Sequence, residues 1–195
     1  MTRRRQIEIL VALGLLLALL AIFLVRPTAH HTAPPPAALF HAVPGIPPDF
    51  AAGGEAFLAA GSPDRSRTAV LYPTEFEVPA DLYVVSGRGV GTRFQLADSL
   101  RETWTPRAVG WLDDQTLWVT VGWLFGTVSP GGDLYAVNPI EGTARLLWAT
   151  PDSGQTQAVA AEAGGAGRGI VVRLRVFDED LAGARDSTLE LPPDD

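Results

Sequence analysis

Apolar residues follow two patterns along this chain, one continuous and one alternating. Residues 7–25 form an apolar run that only Glu8 interrupts, whereas from about residue 55 apolar and polar positions alternate in short segments. Alternation with period two between turn residues predicts β-strands. The clearest case is residues 109–121, where two apolar segments flank the turn Asp113-Asp114-Gln115. We therefore expect a helix followed by an all-β, antiparallel domain of about eleven short strands.

The run at residues 7–25 predicts a transmembrane helix. Its length corresponds to roughly 28 Å at about 1.5 Å per residue, close to a hydrocarbon core of about 30 Å. Three arginines at positions 3–5 precede the run and Arg26 follows it. The positive-inside bias places residues 1–6 in the cytoplasm, so we predict an uncleaved signal-anchor in the bacterial inner membrane with a periplasmic C-terminal domain. A cleaved secretory signal is the alternative, although its apolar region is usually shorter, about 7–15 residues.

Residues 26–54 are predicted to be an extended linker because they are rich in proline, which favours polyproline-like backbone. The prolines are Pro27, Pro34, Pro35, Pro36, Pro44, Pro47 and Pro48. His30, His31 and His41 also lie in this segment, and solvated side chains are a better interpretation of them than metal ligands, since no carboxylate on a rigid element accompanies them.

The β region repeats with a period of roughly 50 residues, which is typical of propeller blades of about four strands. Asp81-Leu82-Tyr83 matches Asp133-Leu134-Tyr135, and Arg93 matches Arg145 at the same spacing. A weaker third copy occupies residues 157–191.

These motifs carry a resemblance to a known family. Ser62-Pro63-Asp64 before an apolar strand, then Asp-Leu-Tyr-x-Val and Gly-x-x-Arg-x-Leu, resembles the blade repeat of TolB-type and related periplasmic β-propellers. The resemblance covers residues 55–150 well and residues 155–192 poorly, and it implies structural turns but no catalytic position. Closed propellers need about four or more blades, and this chain supplies about two and a half. We therefore expect residues 55–192 to form an incomplete propeller, a sandwich or an open barrel, before an acidic tail at residues 193–195.

Composition excludes several kinds of site and partner. The chain has no cysteine, which rules out disulfides, thiolate metal sites and a lipid-modified cysteine. From Pro27 onward the chain carries a net charge of −10, which repels phosphate backbones, so nucleic acid is not an expected partner.

The acidic segment near residue 180 is a weak candidate for a metal site. Asp178, Asp180 and Asp186 fall at positions 1, 3 and 9 of a calcium loop, with Gly183 at position 6. Ala182 and Leu189 occupy positions 5 and 12, where ligands are needed. A solvated acidic turn is the better interpretation, and no metal or cofactor is predicted.

No catalytic constellation is evident, so we do not expect an enzyme. Ser62, Ser86, Ser99 and Ser129 could act as nucleophiles, but every histidine lies in the predicted linker. The acids Asp113 and Asp114 occupy a turn without a second group to support acid–base chemistry.

Two aromatic segments are the candidates for partner contact. Trp123, Leu124 and Phe125 follow the second strand of their repeat, and Phe76 occupies the corresponding place in the previous repeat. They form either exposed loops that bind a partner or the end of a long strand that buries Trp123 and Phe125. Both interpretations remain open.

The function expected from these features is that of a membrane-anchored, non-catalytic accessory or scaffolding subunit. It would contact the bilayer through residues 7–25 and dock its β domain on a protein partner, such as a multi-subunit membrane complex. A ligand- or ion-binding sensor module and an anchored hydrolase are the alternatives.

Overall fold

The computed structural model describes residues 39–47, 58–75, 77–125, 130–151, 154–165, 169–178 and 182–193. These residues form three antiparallel sheets and one short helix. The predicted transmembrane helix at residues 7–25 lies outside these ranges. Within them, no helix has the length and apolar character needed to cross a membrane.

Each sheet is built from strands that are consecutive in the chain. Sheet 1 has the order β1-β5-β4-β3-β2, sheet 2 the order β6-β7-β8-β9, and sheet 3 the order β10-β11-β12. Helix α1 connects sheet 1 to sheet 2. The bounds are β1 (Phe40–Pro44), β2 (Leu58–Gly61), β3 (Arg67–Tyr72), β4 (Asp81–Ser86), β5 (Gly91–Leu96), α1 (Asp98–Arg101), β6 (Trp104–Trp111), β7 (Leu117–Trp123), β8 (Asp133–Asn138), β9 (Thr143–Trp148), β10 (Thr156–Ala163), β11 (Ile170–Phe177) and β12 (Ala184–Leu191).

The all-β, antiparallel prediction is confirmed, and the repeats correspond to the three sheets. In the described residues the sheets do not close into a ring or a barrel, so a propeller is not observed.

The predicted linker at residues 26–54 is not a spacer throughout, because it contains β1. This strand pairs antiparallel with β5, from Phe40 opposite Leu96 to Pro44 opposite Thr92. Leu39, just before it, is fully buried, and the Phe40 ring packs edge-on against Phe94 with 6.4 Å between ring centroids. Proline is tolerated here because β1 is an edge strand, where one side of the backbone needs no ladder partner.

Sheet 2 lies between the other two sheets and is buried on both faces. Successive side chains of a strand point to opposite faces. In β7, Leu117, Val119 and Val121 join the core shared with sheet 1, whereas Trp118 joins the core shared with sheet 3. This explains why all residues from Leu117 to Gly122 are buried.

Sheets 1 and 2 are also joined by polar contacts. The indole N–H of Trp111 donates to the carbonyl of Ala60 at 2.9 Å, and the backbone N–H of Ala80 donates to Thr105 Oγ1 at 2.9 Å. The Arg67 guanidinium lies 5.3 Å from the ring centroid of Trp111, a cation–π contact.

Sheets 2 and 3 approach each other through glycine. Gly132, just before β8, forms a two-bond bridge with Ala158 of β10, at 3.0 and 3.1 Å. A Cβ atom at Gly131 would overlap the carbonyl of Ala158 in sheet 3, and one at Gly132 would overlap the backbone of Val121 and Gly122 in β7. The close backbone approach at this junction therefore requires glycine.

We predict that Gly132→Ala lowers the free energy of unfolding by roughly 2 kcal/mol or more, since the methyl group would separate β8 from β7. Gly61→Ala is the matched control, because a Cβ atom at Gly61 meets nothing within 4 Å. Chemical denaturation of both variants measures the difference. Equal midpoints would show that the junction tolerates a side chain.

A buried hydroxyl in β7 leads to a second stability prediction. Thr120 is fully buried, and its Oγ1 has no hydrogen-bond partner among the described residues. We expect Thr120→Val to raise the unfolding free energy by about 1 kcal/mol, because it removes an unsatisfied polar atom.

Thr105→Val should lower the unfolding free energy by about 1–3 kcal/mol, because it leaves the buried N–H of Ala80 without an acceptor. Urea denaturation tests both, and a loss of stability in Thr120→Val would contradict the assignment.

Candidate functional site

A cleft lies between sheets 1 and 2, where the β3–β4 loop faces the β7–β8 loop. Residues from the β3–β4 loop, from the start of β6 and from the β7–β8 loop line it, and its volume is about 250 Å³. Ligand pockets for drug-sized molecules usually measure about 300–1,000 Å³, so this cavity suits one or two side chains rather than a large cofactor.

Apolar residues supply part of the cleft wall, next to the polar surface of Thr74, Glu75, Glu77 and Arg107. Leu71 and Leu124 are buried, whereas Leu58 and Val78 are 50% and 38% exposed. Pro73, Pro106 and Pro130 add rigid apolar surface. A segment that entered the cleft would therefore cover apolar side chains that solvent now contacts.

Thr105 fixes the base of the cleft. It is buried, and its Oγ1 accepts a hydrogen bond from Ala80, the last residue of the β3–β4 loop. The hydroxyl is therefore occupied in holding sheet 1 to sheet 2.

Arg107 supplies the positive charge of the cleft. Its side chain is half-buried, and burial lowers the pKa of its guanidinium. Nη2 donates to the main-chain oxygens of Trp123 and Leu124, the latter at 3.2 Å. Nε is buried and has no acceptor among the described residues.

Two exposed carboxylates, Glu75 and Glu77, complete the lining on the β3–β4 loop. The cleft thus combines a half-buried cation, exposed acids and apolar walls. This is a composition suited to recognising a short segment with both charged and apolar groups.

Comparison with known proteins identifies the family. A family model described as "Domain of unknown function (DUF4652)" matches residues 90–187, half of the chain. The chain belongs to the DUF4652 family. No curated protein matches it.

A solved structure shares the fold of this DUF4652 chain. It is the crystal structure of a "putative conserved lipoprotein" from Clostridium novyi NT, with a TM-score of 0.64 and 23% sequence identity. The similarity covers 80% of this chain and 98% of that one. The comparisons therefore support a β-rich fold but identify no propeller, so the resemblance to TolB-type repeats is confirmed only as far as the β structure.

The predicted location requires a correction. A single-pass position in the bacterial inner membrane, with a cytoplasmic N-terminus and a periplasmic C-terminal domain, is contradicted. No helix in the described ranges can cross a membrane, and the protein of similar fold is described as a lipoprotein, a class held by lipid rather than by a spanning helix. The error came from relying on apolar length and flanking arginines alone.

The predicted partner-contact segment lies at the cleft of the DUF4652 chain. Strand β7 ends at Trp123, so it does not continue through Phe125. Trp123 is 43% exposed and Phe125 58% exposed, whereas Leu124 is buried in the cleft wall. The Trp123 ring packs against Trp104, with 5.7 Å between centroids. Phe76 lies outside the described residues, but its neighbours Glu75 and Glu77 line the same cleft.

The weak metal candidates are not brought together as a described cluster. Asp186 lies on β12, where its carboxylate accepts a hydrogen bond from Arg175 Nε at 2.9 Å. Asp178 lies in the β11–β12 turn, with its backbone N–H bonded to Gly183, and Asp180 is outside the described residues. In the ranges that the structure describes, no three His, Cys, Asp or Glu residues could hold a metal ion.

The turn acids of the two repeats contact each other. Asp113 Oδ1 accepts from the N–H groups of Gln115 and Thr116, both at 2.7 Å, and Asp114 Oδ1 accepts from the N–H of Asp64 at 2.8 Å. The hydroxyl of Ser62 and the N–H and hydroxyl of Ser66 hold the pKa of Asp64 down at about 2. These carboxylates thus stabilise turns.

Arg107 was not identified from the sequence. It is a single arginine in β6 and belongs to no repeated motif. Its neighbour Pro106 was the available signal, because proline inside a strand often marks a bulge, as in β6 between Pro106 and Ala108.

Proposed function

We propose that this DUF4652 chain is a non-catalytic accessory protein whose β domain docks on a partner protein through the cleft and its aromatic rim. The occupant of the cleft is an extended segment of that partner. The rim consists of Trp123 and Phe125, and the apolar wall residues Leu58 and Val78 extend it into the cleft.

The observation that supports the proposal is the exposure of large apolar side chains around one cavity. Leu58, Val78, Trp123 and Phe125 are each between 38% and 58% exposed. Leu58 and Val78 line the cleft, and Trp123 and Phe125 flank the lining residue Leu124 in the chain. Aromatic side chains bury large areas at interfaces and often dominate the binding energy. The packing of Trp123 on Trp104 reduces the entropy that its ordering would cost on binding.

The chemistry of the lining favours recognition over catalysis. Thr105 Oγ1 is engaged by the Ala80 N–H, and the charged groups are one guanidinium and two carboxylates. Charged groups beside an apolar pocket select the register and the orientation of a bound segment.

Site-specific photocrosslinking tests the proposal. A photoreactive amino acid at Phe125 should give a discrete covalent adduct with one protein in native cells, and Trp123→Ser in the same chain should abolish that adduct. The matched control is the same amino acid at Ile140, which is 70% exposed in the β8–β9 turn. We expect no discrete adduct from Ile140. The same adducts from both positions, or no adduct from Phe125, would contradict docking at this cleft.

A further inference from the structure

Arg107, unlike Arg93 and Arg101, has no acidic partner among the described residues. Arg93 and Arg101 share the buried carboxylate of Asp81, through Arg93 Nε at 2.8 Å and Arg101 Nη1 at 2.6 Å. Among the described residues Arg107 has only main-chain carbonyls, both on Nη2. The cleft therefore holds a positive charge that no described carboxylate neutralises.

An uncompensated charge in a partly desolvated site is costly, and a carboxylate that enters the site offsets this cost. The guanidinium is also a planar group with five donors, which matches the two oxygens of a carboxylate. Nη1 of Arg107 has no described acceptor, whereas Nε is buried without one. The Arg107 side chain thus has donor capacity as well as unneutralised charge.

The surroundings restrict which anion can bind. Glu75 and Glu77 line the same cleft and repel any anion, a doubly charged phosphate more strongly than a singly charged carboxylate. The apolar walls and the volume of about 250 Å³ favour a single carboxylate attached to an apolar group.

We infer that Arg107 binds a carboxylate of the docked partner segment, either an acidic side chain or a C-terminus, while an adjacent apolar side chain of that segment covers Leu58 and Val78. This inference rests on the proposed function, because it specifies the chemistry of the segment that the cleft receives. Glu75 and Glu77 then favour a basic residue elsewhere in the segment, outside the carboxylate position.

Two small molecules distinguish the contribution of charge to binding from that of apolar contact. N-acetyl-leucine carries the carboxylate and an apolar side chain, and N-acetyl-leucinamide has the same side chain without the charge. We expect the acid to bind the full chain with millimolar affinity and the amide to bind at least roughly tenfold more weakly, because the charge-assisted hydrogen bonds are lost. Chemical shifts of the arginine Nε–H groups, followed by NMR during titration, measure both affinities and report on Arg107 directly.

Two variants test the assignment to Arg107. Arg107→Met should weaken binding of the acid at least roughly tenfold and leave binding of the amide unchanged. Arg88→Met is the matched control, because Arg88 is exposed in the β4–β5 turn and lies outside the cleft. It should bind both probes as the unaltered chain does. Arg107→Lys keeps the charge without the planar fork and should bind the acid with intermediate affinity. Denaturation midpoints show that each variant is folded.

The inference is overturned if the acid and the amide bind equally, if Arg107→Met binds the acid as tightly as the unaltered chain, or if the acid does not bind. If the Phe125 adduct still forms in any of these cases, docking of a partner protein remains supported, and only the carboxylate contact at Arg107 is wrong. Conversely, binding of the acid at Arg107 without a Phe125 adduct would identify a site for a free small carboxylate, and the source of the carboxylate in a partner segment would be wrong.

Discussion

The burial of β7 on both faces is the contact on which the arrangement of the three sheets depends. Leu117, Val119 and Val121 fill the core towards sheet 1, while Trp118 fills the core towards sheet 3. A strand with two buried faces cannot present a polar side to solvent, so it must be covered by two neighbouring sheets. Sheet 2 is therefore the central element, and sheets 1 and 3 each stabilise one of its faces.

The cleft is a consequence of where this packing stops. The buried alternation of β7 ends at Gly122, and the chain then turns at Leu124 and Phe125. At that end of the strands the Ala80–Thr105 hydrogen bond joins sheets 1 and 2 in the cleft. Arg107 ties β6 to the end of β7 through the carbonyls of Trp123 and Leu124. A small number of hydrogen bonds thus connects the walls of the cleft to the core.

The sequence predicted the strands and their repeat because period-two alternation and turn residues are local signals. Asp64 and Asp114 lie in turns of successive repeats, and the two turns are in contact. Strand β1 was missed because Phe40–Pro44 is short, lies among prolines and is stabilised by pairing with the distant β5. Arg107 was missed for a similar reason, since its environment comes from two loops that only tertiary folding brings to one cleft. The exposure of Trp123 could not be decided from alternation, because alternation does not show where neighbouring sheets diverge.

The segment matched by the family model is shorter than the part of the chain that packs together around β5. The family match begins at residue 90, immediately before β5, yet β5 pairs with β4 on one side and with β1 on the other. Phe94 and Leu96 of β5 are almost completely buried, and the backbone N–H of Ala97 donates to the carbonyl of Leu39 at 3.1 Å. A relative that retained only the matched segment would expose these side chains and an unpaired strand edge on each side. Such relatives must shield β5 with other chain elements, and the autonomous folding unit in this protein extends back to Leu39.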